Sequence, residues 1–192
     1  MSLGADRNEP QRRPATTAEA ITEFSGPDLH DLCDAAEAAI ADGGGFGWLK
    51  APQRHVMETY WKGVLLVPER DLFVARLDQT IAGSAQLVRP PRYNEAQATV
   101  GQLTPSFIAP WARGHGLARR LVEEAEREAV KEGFAVINLD VRETMESAIQ
   151  LYESLGYIRI GMHPYYVKID NEVLKGYYYY KVIDPKAVEQ EP

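Results

Sequence analysis

The segment PWARGHGLA, residues 110–118, places small residues at the start of a predicted helix and is the strongest candidate for a ligand site. Glycines such as Gly114 and Gly116 let main-chain N–H groups come close to a bound group. The first N–H groups of a helix have no partner within the helix, and the helix dipole is positive at that end. The segment therefore predicts a main-chain site for phosphate oxygens, although an ordinary tight strand-to-helix connection has a similar composition.

Two other phosphate-binding motifs fit this segment less well. A Walker loop needs Gly-Lys-Ser/Thr at the start of the helix, whereas Leu117 and Ala118 follow Gly116. A dinucleotide-binding fingerprint needs a third glycine where Arg119 stands, although Asp140 lies at a suitable distance to be the acidic partner of a ribose. The Walker loop is therefore excluded, and a nucleotide-dependent oxidoreductase stays a minor alternative that an NAD(P) titration tests.

Two motifs together resemble the GCN5-related N-acetyltransferase (GNAT) superfamily. RGHGLA, residues 113–118, is similar to the Q/R-x-x-G-x-G/A signature of that family. AIQLYESLGY, residues 148–157, resembles the family's later helix-and-strand motif. The two motifs occur in the family's order and separation, and a weaker likeness extends over residues 71–181.

The resemblance implies an acyltransferase that uses acetyl-CoA as cosubstrate and holds its pyrophosphate with the main-chain N–H groups of residues 113–118. It also implies that Tyr152 is the catalytic acid that protonates the leaving thiolate. The alternative for Tyr152 is a packing residue on the inward face of a helix. The cofactor-binding residues that the resemblance and the loop indicate are Phe107, Ile108, Arg113, Gly114, His115, Gly116, Leu117, Ala118, Arg119, Met145 and Ala148.

Two positions depart from the family's pattern. Gln102 occupies the place where many relatives carry an acidic residue, and an amide cannot accept a proton as a general base. Met145 stands where the family usually has an asparagine, so apolar contact replaces amide hydrogen bonds. The titratable alternatives for the base are Glu95, Glu143, His55 and His163. Because of these departures, an alternative hypothesis is that the protein is a non-catalytic acyl-CoA-binding sensor or interaction module.

The predicted reaction is transfer of an acetyl group from acetyl-CoA to a primary amine by direct attack in a ternary complex. The acceptor is a small molecule or a peptide, and the aromatic residues Trp48, Tyr60 and Trp61 are candidates for an apolar wall beside it. The only cysteine, Cys33, occupies an apolar position of a predicted helix, far from both motifs in the sequence. We therefore assign Cys33 to the core and expect no covalent enzyme intermediate.

Hydrophobic periodicity predicts the elements that position these residues. Strands are expected at residues 19–24, 71–77, 81–88, 98–108, 134–141, 157–169 and 176–183, and helices at 29–41, 52–63, 116–132 and 145–155. The strand, helix and strand around the glycine loop indicate a parallel pair ending near Ile108 and Val141. The predicted fold is α+β, with a GNAT-like mixed, mostly antiparallel sheet of about seven strands, helices on both faces and a central splayed parallel pair.

The length of 192 residues suits one domain, since domains usually take about 100–200 residues. We predict a flexible N-terminal lead-in at residues 1–18, a single acetyltransferase-like domain at 19–184 and a C-terminal tail at 185–192. The tyrosine-rich last strand is buried either within the chain or across a homodimer interface, and the sequence does not choose between them.

Charge and hydropathy exclude several classes of partner. The net charge of −7 provides no basic footprint, so no nucleic-acid partner is expected. No stretch approaches the ~18 consecutive apolar residues of a membrane helix, and the N-terminus has no secretory signal. Because Cys33 is the only cysteine and no zinc-site spacing occurs, we predict a cytoplasmic protein without a metal site and without a membrane partner.

Overall fold

The computed structural model describes residues 12–44 and 47–188. Its strands are β1 Thr16–Ile21, β2 Arg70–Leu77, β3 Thr80–Val88, β4 Val100–Ile108, β5 Val136–Arg142, β6 Ile158–Ile169 and β7 Glu172–Val182. Its α-helices are α1 Asp28–Ala41, α2 Arg54–Leu66, α3 Leu117–Lys131 and α4 Glu146–Ser154. The strands form one sheet in the order β1-β2-β3-β4-β5-β7-β6, and only β4 and β5 pair in parallel. The predicted mixed, mostly antiparallel sheet is confirmed.

Two hydrophobic cores, one on each face of the sheet, hold the helices in place. Leu32 of α1 and Trp61 of α2 are buried in one core, and Leu121 of α3 is buried in the other. The adjacent β2 residues Leu72 and Phe73 belong to different cores, as expected when successive side chains of a strand point to opposite faces. Helices therefore cover both faces, as the sequence predicts.

The parallel pairing of β4 and β5 is short. Its residue pairs are Val100 with Val136, Gly101 with Ile137 and Gln102 with Asn138. β4 nevertheless continues to Ile108 and β5 to Arg142. The two strands therefore separate after Gln102, which confirms the predicted splayed pair.

β4 also carries a bulge against β3. Between Thr104 and Phe107, the two β4 residues Pro105 and Ser106 lie opposite a single β3 residue. Proline has no N–H group to donate to a ladder, so it suits a bulge. A bulge redirects the side chains that follow it, and it allows Ser106 to line the cavity described below.

β3 approaches β4 closely at Gly83. A Cβ atom at this position would lie 2.3 Å from the carbonyl oxygen of Phe107, so a larger residue would push the two strands apart. The pairing of β3 with β2 shifts register beside Gly83, as in a β-bulge.

Asp28, the first residue of α1, forms a buried ion pair with Arg76 of β2. Arg76 Nη1 donates to Asp28 Oδ1 at 2.6 Å, and Nη2 donates to Oδ2 at 3.1 Å. Asp28 is only 3% exposed, and it also accepts hydrogen bonds from the N–H and hydroxyl groups of Ser25. Arg76 Nε donates in addition to Glu19 Oε1 at 2.7 Å. The pair thus ties the start of α1 to β1 and β2.

The first strand differs most from the prediction of residues 19–24. β1 is paired with β2 along its whole length, from Thr16 opposite Leu77 to Ile21 opposite Leu72. Asp78 extends this pairing, because its N–H donates to the Ala15 carbonyl at 2.7 Å. β1 therefore begins inside the predicted lead-in, since its limits are set by the reach of β2 and not by its own weak pattern.

The remaining elements lie close to their predicted limits. α2 is shifted towards the C-terminus of the predicted helix and continues past Gly63, because Val64 is buried in the core on that face. Within residues 12–44 and 47–188, none of the helices is long and apolar enough to cross a membrane. Residues 1–11 of the predicted lead-in and 189–192 of the predicted tail lie outside the described residues, so the domain limits stay a prediction.

Candidate active site

A cavity of about 900 Å³ lies beside the end of β4, past the residue at which β4 and β5 separate. The end of β4, the N-terminal ends of α3 and α4, and the residues after α1 surround it. Of the residues singled out from the sequence, it is lined by Phe107, Ile108, Arg113, Gly114, Gly116, Leu117, Ala118, Arg119, Met145, Ala148 and Tyr152. The tertiary structure therefore brings the two sequence motifs together at one site.

Several main-chain N–H groups of the cavity-lining loop have no partner in the described part of the chain. Arg120 N–H donates to the Gly116 carbonyl at 3.2 Å, but the N–H groups of residues 114–119 donate to no acceptor within residues 12–44 and 47–188. Arg113 differs from the prediction, because its N–H donates to the Pro110 carbonyl at 3.3 Å. Unpartnered donors at the positive end of a helix dipole are suited to bind an anion.

The backbone conformation of the loop requires its glycines. Gly114 has φ +81° and Gly116 has φ +76°, a region that side chains with a Cβ atom rarely adopt. Nothing lies within 4 Å of a Cβ atom built on either residue. The space beside both glycines is therefore open to a ligand.

His115 lies in the same loop but is not among the residues that line the cavity. Its Nδ1 lies 3.2 Å from the Ala112 carbonyl oxygen and 3.0 Å from that of Arg113. The imidazole therefore contacts the loop's own backbone, and His115 as a cofactor-binding residue stays a prediction.

Tyr152 of α4 reaches the opening between β4 and β5. Its hydroxyl oxygen lies 2.8 Å from Ser106 Oγ. Burial raises the pKa of Tyr152, the Ser106 hydrogen bond opposes this shift, and the Asp140 carboxylate adds to it. The phenol is therefore protonated at neutral pH and can donate a hydrogen bond into the cavity.

Comparisons with known proteins identify the family. Residues 32–157 match the family model described as Acetyltransferase (GNAT) family. The chain belongs to the GNAT family. An uncharacterised N-acetyltransferase encoded in the hisH-hisA intergenic region of Azospirillum brasilense is 65% identical over 128 residues, which cover 67% of this chain and 76% of that protein.

Solved structures share the GNAT fold. An N-acetyltransferase from Staphylococcus aureus Mu50 superposes with a TM-score of 0.74 at 15% identity, covering 88% of this chain and 99% of that one. The yncA protein of Salmonella typhimurium, solved with its cofactor acetyl-CoA, superposes with a TM-score of 0.69 at 16% identity, covering 89% and 95%. At such identities the likeness shows the fold alone.

Several residues that line the cavity were not identified from the sequence. The segment that follows α1 also lines the cavity, through Asp42, Gly43 and Gly44. Arg113 Nη1 donates to Asp42 Oδ2 at 2.6 Å, and Arg142 Nη2 donates to the Gly43 carbonyl at 2.8 Å. No local signal in the sequence showed that two arginines from distant segments would hold these residues here. The other additional lining residues are Ser106, Ala112, Leu121, Thr144, Glu146, Ser147 and Leu151.

None of the four titratable alternatives for a base lines the described cavity. His55 and His163 are exposed, on α2 and β6 respectively. Glu95 lies in an exposed turn before β4, and Glu143 Oε1 accepts a hydrogen bond from the N–H group of Lys175 at 2.9 Å. Gln102, which stands at the family's usual acidic position, is hydrogen-bonded to a carboxylate of the next strand. Its Nε2 donates to Asp140 Oδ1 at 3.2 Å.

Cys33 lies in the core between α1 and the sheet and is fully buried. Burial raises the pKa of its thiol to about 11, so the thiolate required of a nucleophile is scarce at neutral pH. Cys33 does not line the cavity, and its assignment to the core is confirmed.

Proposed function

We propose that this GNAT protein transfers an acetyl group from acetyl-CoA to a primary amine of a small molecule or peptide, by direct attack in a ternary complex. The observation that carries the proposal is the row of N–H groups at residues 114–119 without partners in the described part of the chain, since all of these residues except His115 line an open cavity. These donors and the positive end of the α3 dipole suit a pyrophosphate. The presence of acetyl-CoA in the structurally similar yncA protein supports the same choice.

The gap between β4 and β5 suits the pantetheine arm of acetyl-CoA. The β4–β5 ladder ends at Gln102, so peptide groups further along the β5-facing edge of β4 can pair with the amides of pantetheine. Ile108 and Phe107 lie at this part of β4, and Met145 and Ala148 of the α4 region line the opposite side. Met145 offers apolar contact to the arm in place of hydrogen bonds.

The reaction needs a neutral amine and a protonated leaving group. The amine nitrogen attacks the thioester carbonyl carbon, the C–N bond forms, and the C–S bond breaks when the tetrahedral intermediate collapses. Tyr152 donates its hydroxyl proton to the departing sulfur. The proton that the amine loses restores the phenol, so protons balance over one turnover. No cysteine takes part, because the buried Cys33 thiol lies outside the cavity.

Replacing Tyr152 with Phe should lower kcat about 100-fold, the low end of the usual contribution of a general acid, while the Kd for CoA stays within about twofold. Tyr157→Phe is the matched control, since its ring packs against that of Tyr152 at 5.6 Å but does not line the cavity. Thiol release from acetyl-CoA measures kcat, and calorimetry measures the Kd for CoA. Unchanged kcat in Tyr152→Phe would reduce this residue to a packing role.

The proposed function itself is tested with the unmodified protein. We expect calorimetry to show binding of CoA, and acetyl-CoA to release thiol only when a primary amine is present. A panel of spermidine, L-lysine and a peptide with an N-terminal alanine samples small-molecule and peptide acceptors. CoA binding without amine-dependent thiol release would favour the non-catalytic acyl-CoA-binding module, which the amide at Gln102 makes the second candidate. Absence of CoA binding would overturn both.

A further inference from the structure

Ser106 of β4 is the hydrogen-bond partner of Tyr152 at the cavity. Its Oγ lies 2.8 Å from the Tyr152 hydroxyl oxygen, and both residues line the cavity. Within residues 12–44 and 47–188, neither hydroxyl group has a further hydrogen-bond partner. Each hydroxyl group carries one proton to donate and lone pairs to accept. The two groups therefore share one hydrogen bond, and the second of their protons stays available to a ligand in the cavity.

The β4 bulge turns Ser106 towards Tyr152. Leu103 belongs to the core on the α3 face of the sheet, whereas Phe107 belongs to the core on the α1 and α2 face. Residues four positions apart on a regular strand share one face, so the faces exchange once between Leu103 and Phe107. The register shift against β3 lies in this interval. Ser106 therefore points to the face opposite its neighbour Phe107, which is the face that α4 covers with Tyr152.

The hydroxyl oxygen of Tyr152 lies in an enclosed place. Tyr152 is only 6% exposed, and its ring packs edge-on against that of Tyr157 at 5.6 Å. If the phenol gives its proton to the leaving sulfur, a negative charge remains on this oxygen. A buried charge is costly unless hydrogen bonds compensate it. The Ser106 hydroxyl is the donor that the described part of the chain places at this oxygen.

The direction of the hydrogen bond decides where the phenolic proton points. A serine hydroxyl rotates freely, so Ser106 can accept from the phenol or donate to it. When Ser106 donates, the phenolic proton of Tyr152 is free to point into the cavity. A hydrogen bond donated to a charged oxygen is roughly twice as strong as one between neutral groups. The bond therefore strengthens as the phenolate forms, and an interaction that strengthens in the transition state raises kcat.

The pKa of Tyr152 responds to this hydrogen bond in the direction that donation by Ser106 requires. Burial raises the pKa of Tyr152, the Ser106 hydrogen bond lowers it, and the Asp140 carboxylate raises it again. A hydrogen bond lowers the pKa of a phenol when it favours the ionised form. Ser106 thus offsets part of the cost of ionising a buried phenol.

We propose that Ser106 is the positioning residue for Tyr152, donating to the phenol oxygen so that the phenolic proton is directed at the leaving sulfur. This inference rests on the proposed acetyl transfer. As the C–S bond breaks, its electron pair stays on the sulfur and takes the phenolic proton, so the O–H bond of Tyr152 breaks and an S–H bond forms. The O–H bond of Ser106 stays intact. Its hydrogen bond holds the phenolate until the proton released by the amine restores the phenol.

The main test is a double-mutant cycle with Ser106→Ala and Tyr152→Phe, using acetyl-CoA and the acceptor from the amine panel with the fastest thiol release. We expect Ser106→Ala alone to lower kcat about 30-fold, the size expected for one hydrogen bond to a charged group, with the Kd for CoA within about twofold. In the Tyr152→Phe background, the same substitution should change kcat by less than about twofold, because Ser106 acts through the phenol. A merely structural role would lower kcat equally in both backgrounds.

Two further variants control for the hydroxyl group and for the substitution itself. Ser106→Thr keeps a hydroxyl group and should recover most of the kcat that is lost in Ser106→Ala. Ser84→Ala makes the same substitution in β3, opposite Phe107, at a buried hydroxyl group that has no hydrogen-bond partner among the described residues. This variant should leave kcat unchanged.

The outcomes distinguish the role of Ser106 from the wider function. If the unmodified protein acetylates an amine and Ser106→Ala keeps its kcat, or loses the same factor with and without Tyr152→Phe, the positioning role is wrong and the proposed function stands. If Tyr152→Phe itself keeps its kcat, the positioning role fails together with the acid. If the unmodified protein releases no thiol with any amine of the panel, the proposed function fails and this inference fails with it.

Discussion

Gly116→Asp is expected to abolish measurable CoA binding. The new carboxylate would stand beside the unpartnered N–H groups, where the proposed pyrophosphate is held. Two unit charges 4 Å apart repel by about 4 kcal/mol at an effective dielectric constant of 20, which weakens the Kd about 1000-fold. Calorimetry with CoA measures the change directly. The substitution strains the loop, because Gly116 has φ +76°, but no atom lies within 4 Å of a Cβ atom at this position and aspartate is one of the few residues besides glycine that adopt this conformation.

Two companion variants separate charge from conformation. Gly116→Asn has nearly the same shape, and asparagine tolerates the left-handed region as aspartate does, so it should bind CoA much more tightly than Gly116→Asp. Gly133→Asp makes the same substitution at a similar φ of +88°, also in open space, just after the C-terminal end of α3. It should bind CoA normally. Tight binding by Gly116→Asp would remove the main-chain anion site from the proposal.

Asp28→Ala is expected to lower the free energy of unfolding by about 3 kcal/mol, the usual cost of breaking a buried ion pair from one side. Arg76, whose side chain is 15% exposed, would lose two hydrogen bonds to Asp28 and keep Glu19 as its acidic partner among the described residues. Urea denaturation at neutral pH measures the change. Asp31→Ala is the matched control, because it removes another acidic residue from the first turn of α1. Equal losses in both variants would contradict a special role of the pair.

The same pair predicts how stability depends on pH. The Arg76 guanidinium, opposed in part by burial, holds the pKa of Asp28 below its usual value. A carboxyl group whose pKa is lowered on folding stabilises the fold above its unfolded pKa of about 3.9 and loses that contribution as pH falls through its folded pKa. The difference in unfolding free energy between the unmodified protein and Asp28→Ala should therefore be constant near neutral pH and shrink below about pH 4. A difference that is unchanged in acid would contradict this linkage.

The parts of the site that the sequence predicted are local in the chain. The proposed anion site needs only a strand end, two glycines with positive φ and the start of a helix, all within residues 107–119. The position of Tyr152 can be predicted for the same reason, because this residue lies on the apolar face of a short helix that is followed by Gly156. Main-chain donors and helix periodicity are short-range properties, so a single segment suffices to predict them.

The parts that the sequence missed join segments far apart in the chain. Asp140 of β5 accepts hydrogen bonds from Gln102 of β4 and Tyr166 of β6, two strands that the sheet order places on either side of it. Arg113 and Arg142 hold the residues after α1, which lie about 70 and 100 positions earlier in the chain. No short sequence pattern predicts these contacts, because bulges and the neighbouring strands determine which groups a strand side chain reaches.

The amino-acid sequence by itself determined the family, the order of helices and strands, the glycine loop and the inward-facing Tyr152. Only the tertiary structure decided where β1 begins and which residues from outside the two motifs line the cavity. The physical reason is the distance along the chain over which each property is determined. Backbone conformation and amphipathic periodicity are set by residues within a few positions of each other, whereas hydrogen bonds between strands depend on a register that the whole sheet establishes.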